Sequence, residues 1–244
     1  MPVDILVVAL GAFFAALAIG SAGFAFSMVA TGFWIYVLPP QFIVLMASVC
    51  GTLLHGMSVW RYRKSIDIRR LAPFVVGGFI GVPLGVWALS HIDLVTFRHL
   101  VGILMIVYGA YALLGLPLRT VAGRPTMLRA ADVVVGWAGG VLGGVAMLNG
   151  VLPTIWCNLR GWDKNAARQI YQPYIWCTGL LVMALTGLKI GNDAGRLPFY
   201  MMVALPGALV GWRLGHRLFD WVSEPQFRRL LSVLILASGL ALQF

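Results

Sequence analysis

Gly136-Trp137-Ala138-Gly139-Gly140-Val141-Leu142-Gly143-Gly144-Val145-Ala146-Met147-Leu148-Asn149-Gly150 packs six glycines into one apolar run, with Pro153 just beyond. Glycine inside a helix costs about 1 kcal/mol relative to alanine, so a cluster at mid-segment predicts a broken helix. The enclosing run, 131–158, is long for one membrane crossing and too short for two with a turn. Two half-helices of about 12 residues would each reach roughly 18 Å, enough to enter a bilayer and return. The segment 5–36 has the same character. It carries Gly11, Gly20, Gly23 and Gly32, with Ser21, Ser27 and Thr31 between, and closes on Leu38-Pro39-Pro40. Close packing through small residues would need glycine on one face only, and Gly20, Gly23, Gly139, Gly140, Gly143 and Gly144 do not keep to one stripe. Both segments therefore read as re-entrant hairpins.

Composition supplies the solvent. Of 244 residues, 60% are hydrophobic and only 11% charged, against roughly 25% charged in a soluble domain. Mean hydropathy is +0.90. A water-soluble monomer cannot hide that much apolar surface. About 20 apolar residues cross a hydrocarbon core of about 30 Å, so the chain has room for about six to eight crossings. The net charge of +10 does not point to nucleic acid, which would require a basic face with interleaved aromatics. Nearly all Lys and Arg occupy breaks between apolar runs, as the positive-inside rule requires. Cys50, Cys157 and Cys177 read as small buried hydrophobes. Met1-Pro2-Val3-Asp4 has no basic residue, which argues against a cleaved signal peptide and lets this end lie outside.

The remaining apolar runs are 41–60, 71–90, 97–116, 169–188, 197–215 and 229–243. A shift of 130 carries Gly77, Gly81 and Gly85 onto Gly207, Gly211 and Gly215, and Phe97-Arg98 onto Phe227-Arg228. A shift of 123 carries Gly20 onto Gly143 and Thr31 onto Thr154. The expected fold is an all-α polytopic membrane protein of two inverted repeats, each a Gly-rich re-entrant helical hairpin plus three transmembrane helices. The first repeat is 1–116, the second 131–244, and 117–130 is a basic cytoplasmic linker. The spaced glycines of 77–85 and 207–215 read as packing faces.

Charge tests the inversion. Three crossings per half, with the N-terminus outside, put every basic residue inside except Arg98, Lys189 and Arg196. Eight crossings in two parallel halves would leave Arg98, Arg160, Lys164, Arg168, Arg213, Arg217, Arg228 and Arg229 outside. The inverted arrangement fits the bias.

Unpaired backbone groups at a helix break persist in lipid only where protein, water or ligand satisfies them. Two hairpins entering from opposite faces bring their tips together, with the N-terminus of each second arm pointing at the shared centre. Such N-termini carry partial positive charge and free N–H donors, so the site suits a small anion. The candidate tip residues are Gly20, Ser21, Ala22 and Gly23 with Gly143, Gly144, Val145 and Ala146. Ser27, Thr31, Asn149 and Thr154 are the candidate side-chain donors. His55, Tyr171, Gln172 and Thr178 are further polar residues near mid-span. Each hydroxyl also has a plain alternative, a bond back to its own helix. Asp4 and Asp132 begin the two hairpins, where N-capping accounts for them. No metal or cofactor site is read, and no catalytic residue.

Ala18-Ile19-Gly20-Ser21-Ala22-Gly23-Phe24 with Leu38-Pro39-Pro40 resembles the first glycine-rich motif of the TauE/SafE sulfite exporters. Gly139-Gly140-Val141-Leu142-Gly143-Gly144, with Asn149-Gly150-Val151-Leu152-Pro153 and Arg168, resembles the second. The likeness covers nearly the whole chain. It implies export of sulfite, a small organosulfonate or a related sulfur oxyanion across a bacterial cytoplasmic (inner) membrane. The residues themselves reach only a small anion.

Two other classes stay open at this point. An intramembrane enzyme would need a nucleophile with its base or a metal cluster, and no GxSxG, HExxH or paired mid-span carboxylates occur. A non-transporting scaffold would use the glycines for packing alone. The expected partners are a small anionic substrate and the lipid bilayer, without nucleic acid; a second copy of the chain is left open.

Overall fold

The computed structural model describes the chain except residues 1, 23–24, 115–119, 122, 191–194, 220–223 and 244. Side chains of 2, 20–22, 61–62, 164, 216, 218–219, 224–228 and 230–231 are likewise outside the description. Among the described residues the elements are α1 (Pro2–Ala22), α2 (Phe26–Trp34), α3 (Pro40–Tyr62), α4 (Ile68–Leu89), α5 (Leu94–Leu114), α6 (Pro125–Ala146), α7 (Val151–Leu159), α8 (Lys164–Ile190), α9 (Leu197–Phe219) and α10 (Glu224–Ala241). A 3-10 turn at Arg63–Ser65 joins α3 to α4, and no strand is present among these residues. At the solvent edge, Asp67, Asp93 and Asp163 start α4, α5 and α8 by accepting backbone N–H bonds from Arg69, Thr96 and Asn165. They satisfy amides that a helix start leaves unpaired. Hydrogen bonding from Thr96 holds the Asp93 carboxyl below its ordinary value.

Both glycine-rich segments are broken, and each folds back on itself. α2 and α7 have nine residues apiece. The indole of Trp34 donates to the carbonyl of Val8 at 3.1 Å, and Phe33 stacks on Phe14, so the end of α2 lies beside the early turns of α1. The indole of Trp156 donates to Asp132 Oδ1 at 2.6 Å, and Arg160 pairs with the same oxygen at 2.8 Å. The end of α7 is thereby tied to the early turns of α6. Asp132 is not an N-cap as expected: α6 starts at Pro125 with Arg124 before it, and the carboxylate is buried between the two arms.

The arms are unequal, where the sequence suggested two halves of similar length. α6 has 22 residues, about 33 Å at 1.5 Å per residue, and runs unbroken through Gly139 to Gly144. Its glycines serve two faces. A methyl at Gly136, Gly140 or Gly144 would run into the backbone of Phe74, Gly78 or Val82 on α4, whereas Gly139 and Gly143 lie against Asn149. Close packing along both faces offsets the helix-forming cost of each glycine, so the chain does not need to break there.

The spaced glycines of 77–85 and 207–215 do matching work. Gly77, Gly81 and Gly85 of α4 rest on the backbone of Val133, Trp137 and Val141 of α6; Gly207, Gly211 and Gly215 of α9 rest on Ala9, Phe13 and Leu17 of α1. Both pairs are parallel. In contrast α3 runs antiparallel to α8, with Leu45 beside Gly187, Thr52 beside Gly179 and His55 beside Gln172. α5 runs antiparallel to α10, with Gly102 beside Gln243 and Gly109 beside Leu236.

Among the described residues, six helices are long and apolar enough to cross a membrane: Pro40–Trp60, Ile68–Leu89, Leu94–Leu114, Pro125–Ala146, Asn165–Ile190 and Leu197–Gly215. This set differs from the expected crossings, because it contains α6, while the apolar part of α10 within the described residues is the short Ser232–Ala241. The start of α4, the start of α6 and the end of α7 gather Arg69, Arg70, Arg129 and Arg160 at one end of the bundle; Arg98, Lys189 and Arg196 lie at the other.

Candidate functional site

Between α6 and α7 the chain turns at 147–150, just beyond the expected tip. Met147 adopts a left-handed backbone (φ 57°). Its N–H bonds to the Gly143 carbonyl at 2.7 Å, and the Leu148 N–H reaches the Leu142 carbonyl at 3.2 Å. This pair of bonds closes a helix C-terminus and reverses the chain. Gly143, Gly144, Val145 and Ala146 are accordingly the last turn of α6, buried, with their N–H groups turned back into the helix. The carbonyl of Met147 faces the other half, where it accepts the Ser27 hydroxyl at 2.6 Å.

Ser27 lies in the first turn of α2. That helix begins after Ala25 and α7 begins after Gly150, and in neither does a side chain cap the N-terminus. Two short helices therefore start beside this junction with first-turn amides that no side chain occupies.

Around the junction the expected residues divide. Gly20, Ser21 and Ala22 form the last turn of α1, with side chains outside the description, and Gly23 lies outside the described residues. Asn149 is buried and donates its amide to the Ile175 carbonyl at 3.1 Å and to Thr178 Oγ1 at 2.7 Å. Thr178 in turn donates to the Tyr174 carbonyl, and Tyr174 to the Gly136 carbonyl, so this group braces α8 against the second hairpin. His55 Nδ1 and Gln172 Oε1 meet at 2.8 Å across the α3–α8 seam, both buried, and Tyr171, the preceding residue of α8, is also buried. Gly144 faces α4 and not the junction, which makes it a packing residue. The hydroxyls of Thr31 and Thr154 are buried and have no hydrogen-bond partner.

One residue passed unnoticed in the sequence. Thr52 on α3 is 4% exposed with an unpartnered hydroxyl, and it sits where Gly179 and the side chain of Met147 come together. The signal was present: Ser48, Thr52 and His55 recur at spacings of four and three, which is one face of a helix.

No side chain of full charge is among these residues, and the donors on offer are hydroxyls, amides and helix starts. A polar centre enclosed in a bundle of membrane-length apolar helices is what a multi-pass membrane transporter requires. The chain belongs to the sulfite exporter TauE/SafE family, whose profile matches residues 8–242. It is 24% identical over 212 residues to the probable inner membrane transporter protein TsaS of Comamonas testosteroni, covering 82% of this chain and 81% of that protein. No solved structure matches it. It is a transporter and not an enzyme, and it is a multi-pass protein of the inner membrane.

Proposed function

We propose that the protein exports sulfite or a small organosulfonate, bound near the bilayer midplane between two opposed re-entrant hairpins, α1–α2 and α6–α7. The observation that carries this reading is the bond from Ser27 to the Met147 carbonyl, which joins the two hairpin turns beside two helix N-termini free of side-chain caps. Several acceptor oxygens on a compact anion match several N–H and O–H donors, and the partial positive charge of helix starts compensates the ligand without a buried Lys or Arg.

Two inverted repeats, 1–116 and 131–244 about the linker 117–130, make the site two-sided. Antiparallel α3 against α8 and α5 against α10 support this, since these are the helices that the repeat makes equivalent. The basic residues gathered at one end support an inside face there. Ser27, Thr31, Asn149, Thr154 and Thr52 are the side chains assigned to the anion or its immediate frame, with the backbone of Gly20–Gly23 and Met147–Gly150. His55, Gln172, Tyr171 and Thr178 brace the seam behind them.

The test is flux in proteoliposomes loaded with sulfite, taurine or phosphate. Sulfite or sulfonate efflux that the variant Thr31→Val reduces, with the protein still monodisperse, is the expected result. Equal flux of all three solutes, or none of any, would overturn the assignment.

A further inference from the structure

At the end of the bundle remote from the basic loops, a cavity of about 470 Å³ opens between the start of α3 and the ends of α4 and α8. Gln41, Ser90, Thr186 and Lys189 supply its polar lining. Lys189 is exposed, and its ammonium donates to Ser90 Oγ at 2.6 Å and to the Val86 carbonyl at 3.3 Å. An ammonium has three donors, so one remains for a guest. Thr186 is 2% exposed, and its hydroxyl has no hydrogen-bond partner.

It is one of four buried threonine hydroxyls without a partner among the described residues, the others being Thr31, Thr52 and Thr154. Ser48, Ser90 and Thr178 follow the ordinary rule for helices in an apolar setting, each donating back to a carbonyl one turn earlier in its own helix. Thr186 and Thr52 do not. Both lie on the α3–α8 seam: Thr186 lines the cavity, and Thr52 adjoins Gly179, seven residues earlier on α8, about 10 Å along the helix. Past Thr52 the seam reaches Met147 and its bond with Ser27. Two buried hydroxyls are thus left open along this seam, between a cation at the surface and the polar centre.

We infer that this cavity is the outer mouth through which a small oxyanion passes on the Lys189 side, with Lys189 as the cation that binds it there and Thr186 as the first hydroxyl of a polar track down the α3–α8 seam. The inference rests on the reading of the centre as an anion site. An exposed cation in a concave, mostly apolar recess raises the local anion concentration, and salt screens the effect.

The experiment is initial-rate sulfite flux in vesicles, with substrate presented on the side from which an impermeant thiol reagent labels His91→Cys. Lys189→Gln should raise the half-saturating sulfite concentration from that side by about fivefold at low ionic strength, with the maximal rate held within about twofold. Lys189→Arg should retain wild-type behaviour, and added potassium gluconate should close the gap between Lys189→Gln and wild type. Thr186→Val should lower the maximal rate while the purified protein stays monodisperse. An unchanged half-saturating concentration in Lys189→Gln, with wild type active, would overturn the mouth and leave the central site standing. An equal rise from both sides would do the same. Absence of flux in wild type would remove the central site and the mouth with it.

Discussion

Ser27 donates its hydroxyl to the carbonyl of Met147 at 2.6 Å, joining two turns that lie 120 residues apart in the chain. Met147 is the one described non-glycine residue with positive φ, a conformation that costs an L-residue about 1–2 kcal/mol. It presents its carbonyl across the molecule because the left-handed turn frees that group from α6. Removing the donor leaves a buried acceptor unpaired. Ser27→Ala should therefore lower stability by about 1–3 kcal/mol and reduce flux, whereas Ser27→Thr should keep most of both. Thermal unfolding in detergent and proteoliposome flux on the same preparations measure the two effects.

Thr52→Val separates structural from functional use of a hydroxyl. The Thr52 oxygen has no protein partner to lose, so an apolar isostere should leave stability unchanged or raise it. If the hydroxyl faces the anion, sulfite flux should nevertheless fall by about tenfold, the equivalent of one charge-assisted hydrogen bond. Undiminished flux in a fully stable variant would take Thr52 out of the pathway.

Gly140→Ala should fold poorly. Its methyl would meet the carbonyl of Gly78 on α4, a backbone atom that cannot rotate away. Gly187→Ala is the control, since the nearest atom there is 4.0 Å away on the Leu45 side chain. A fluorescence size-exclusion profile should show aggregation or loss for the first and a wild-type peak for the second. Gly144→Leu belongs with the first class and does not test the anion site, because Gly144 also abuts α4.

Asp132 and Arg160 pair at 2.8 Å with side chains 5% and 16% exposed. Either single change, Asp132→Ala or Arg160→Ala, should cost about 3–5 kcal/mol by stranding the other charge. The double variant should cost much less than the two added together, which a double-mutant cycle of unfolding midpoints reads directly.

Single cysteines at Ser65 and Asn165 should react with an impermeant thiol reagent from one face of the membrane, and a cysteine at His91 from the other. All three positions are exposed. Labelling of position 165 from the same face as position 91 would remove the inverted arrangement.

Apolar length, sparse charge and the placing of Lys and Arg in breaks determine by themselves that the chain is a helical, many-times-crossing membrane protein, since these properties depend on the solvent and not on which helix meets which. Glycine clusters were enough to foresee two broken segments, and the recurring Gly77, Gly81, Gly85 and Gly207, Gly211, Gly215 to foresee close-packed faces, because local helix cost and side-chain size are written residue by residue. The position of the second break was decided elsewhere: α4 lies against Gly136, Gly140 and Gly144, holds α6 straight past the cluster and moves the turn to Met147. Asp132 became the clamp of a hairpin and Thr52 a neighbour of Met147 for the same reason. A side chain's partner across 24 or 120 residues is fixed by packing between helices, and no local property of the sequence encodes it.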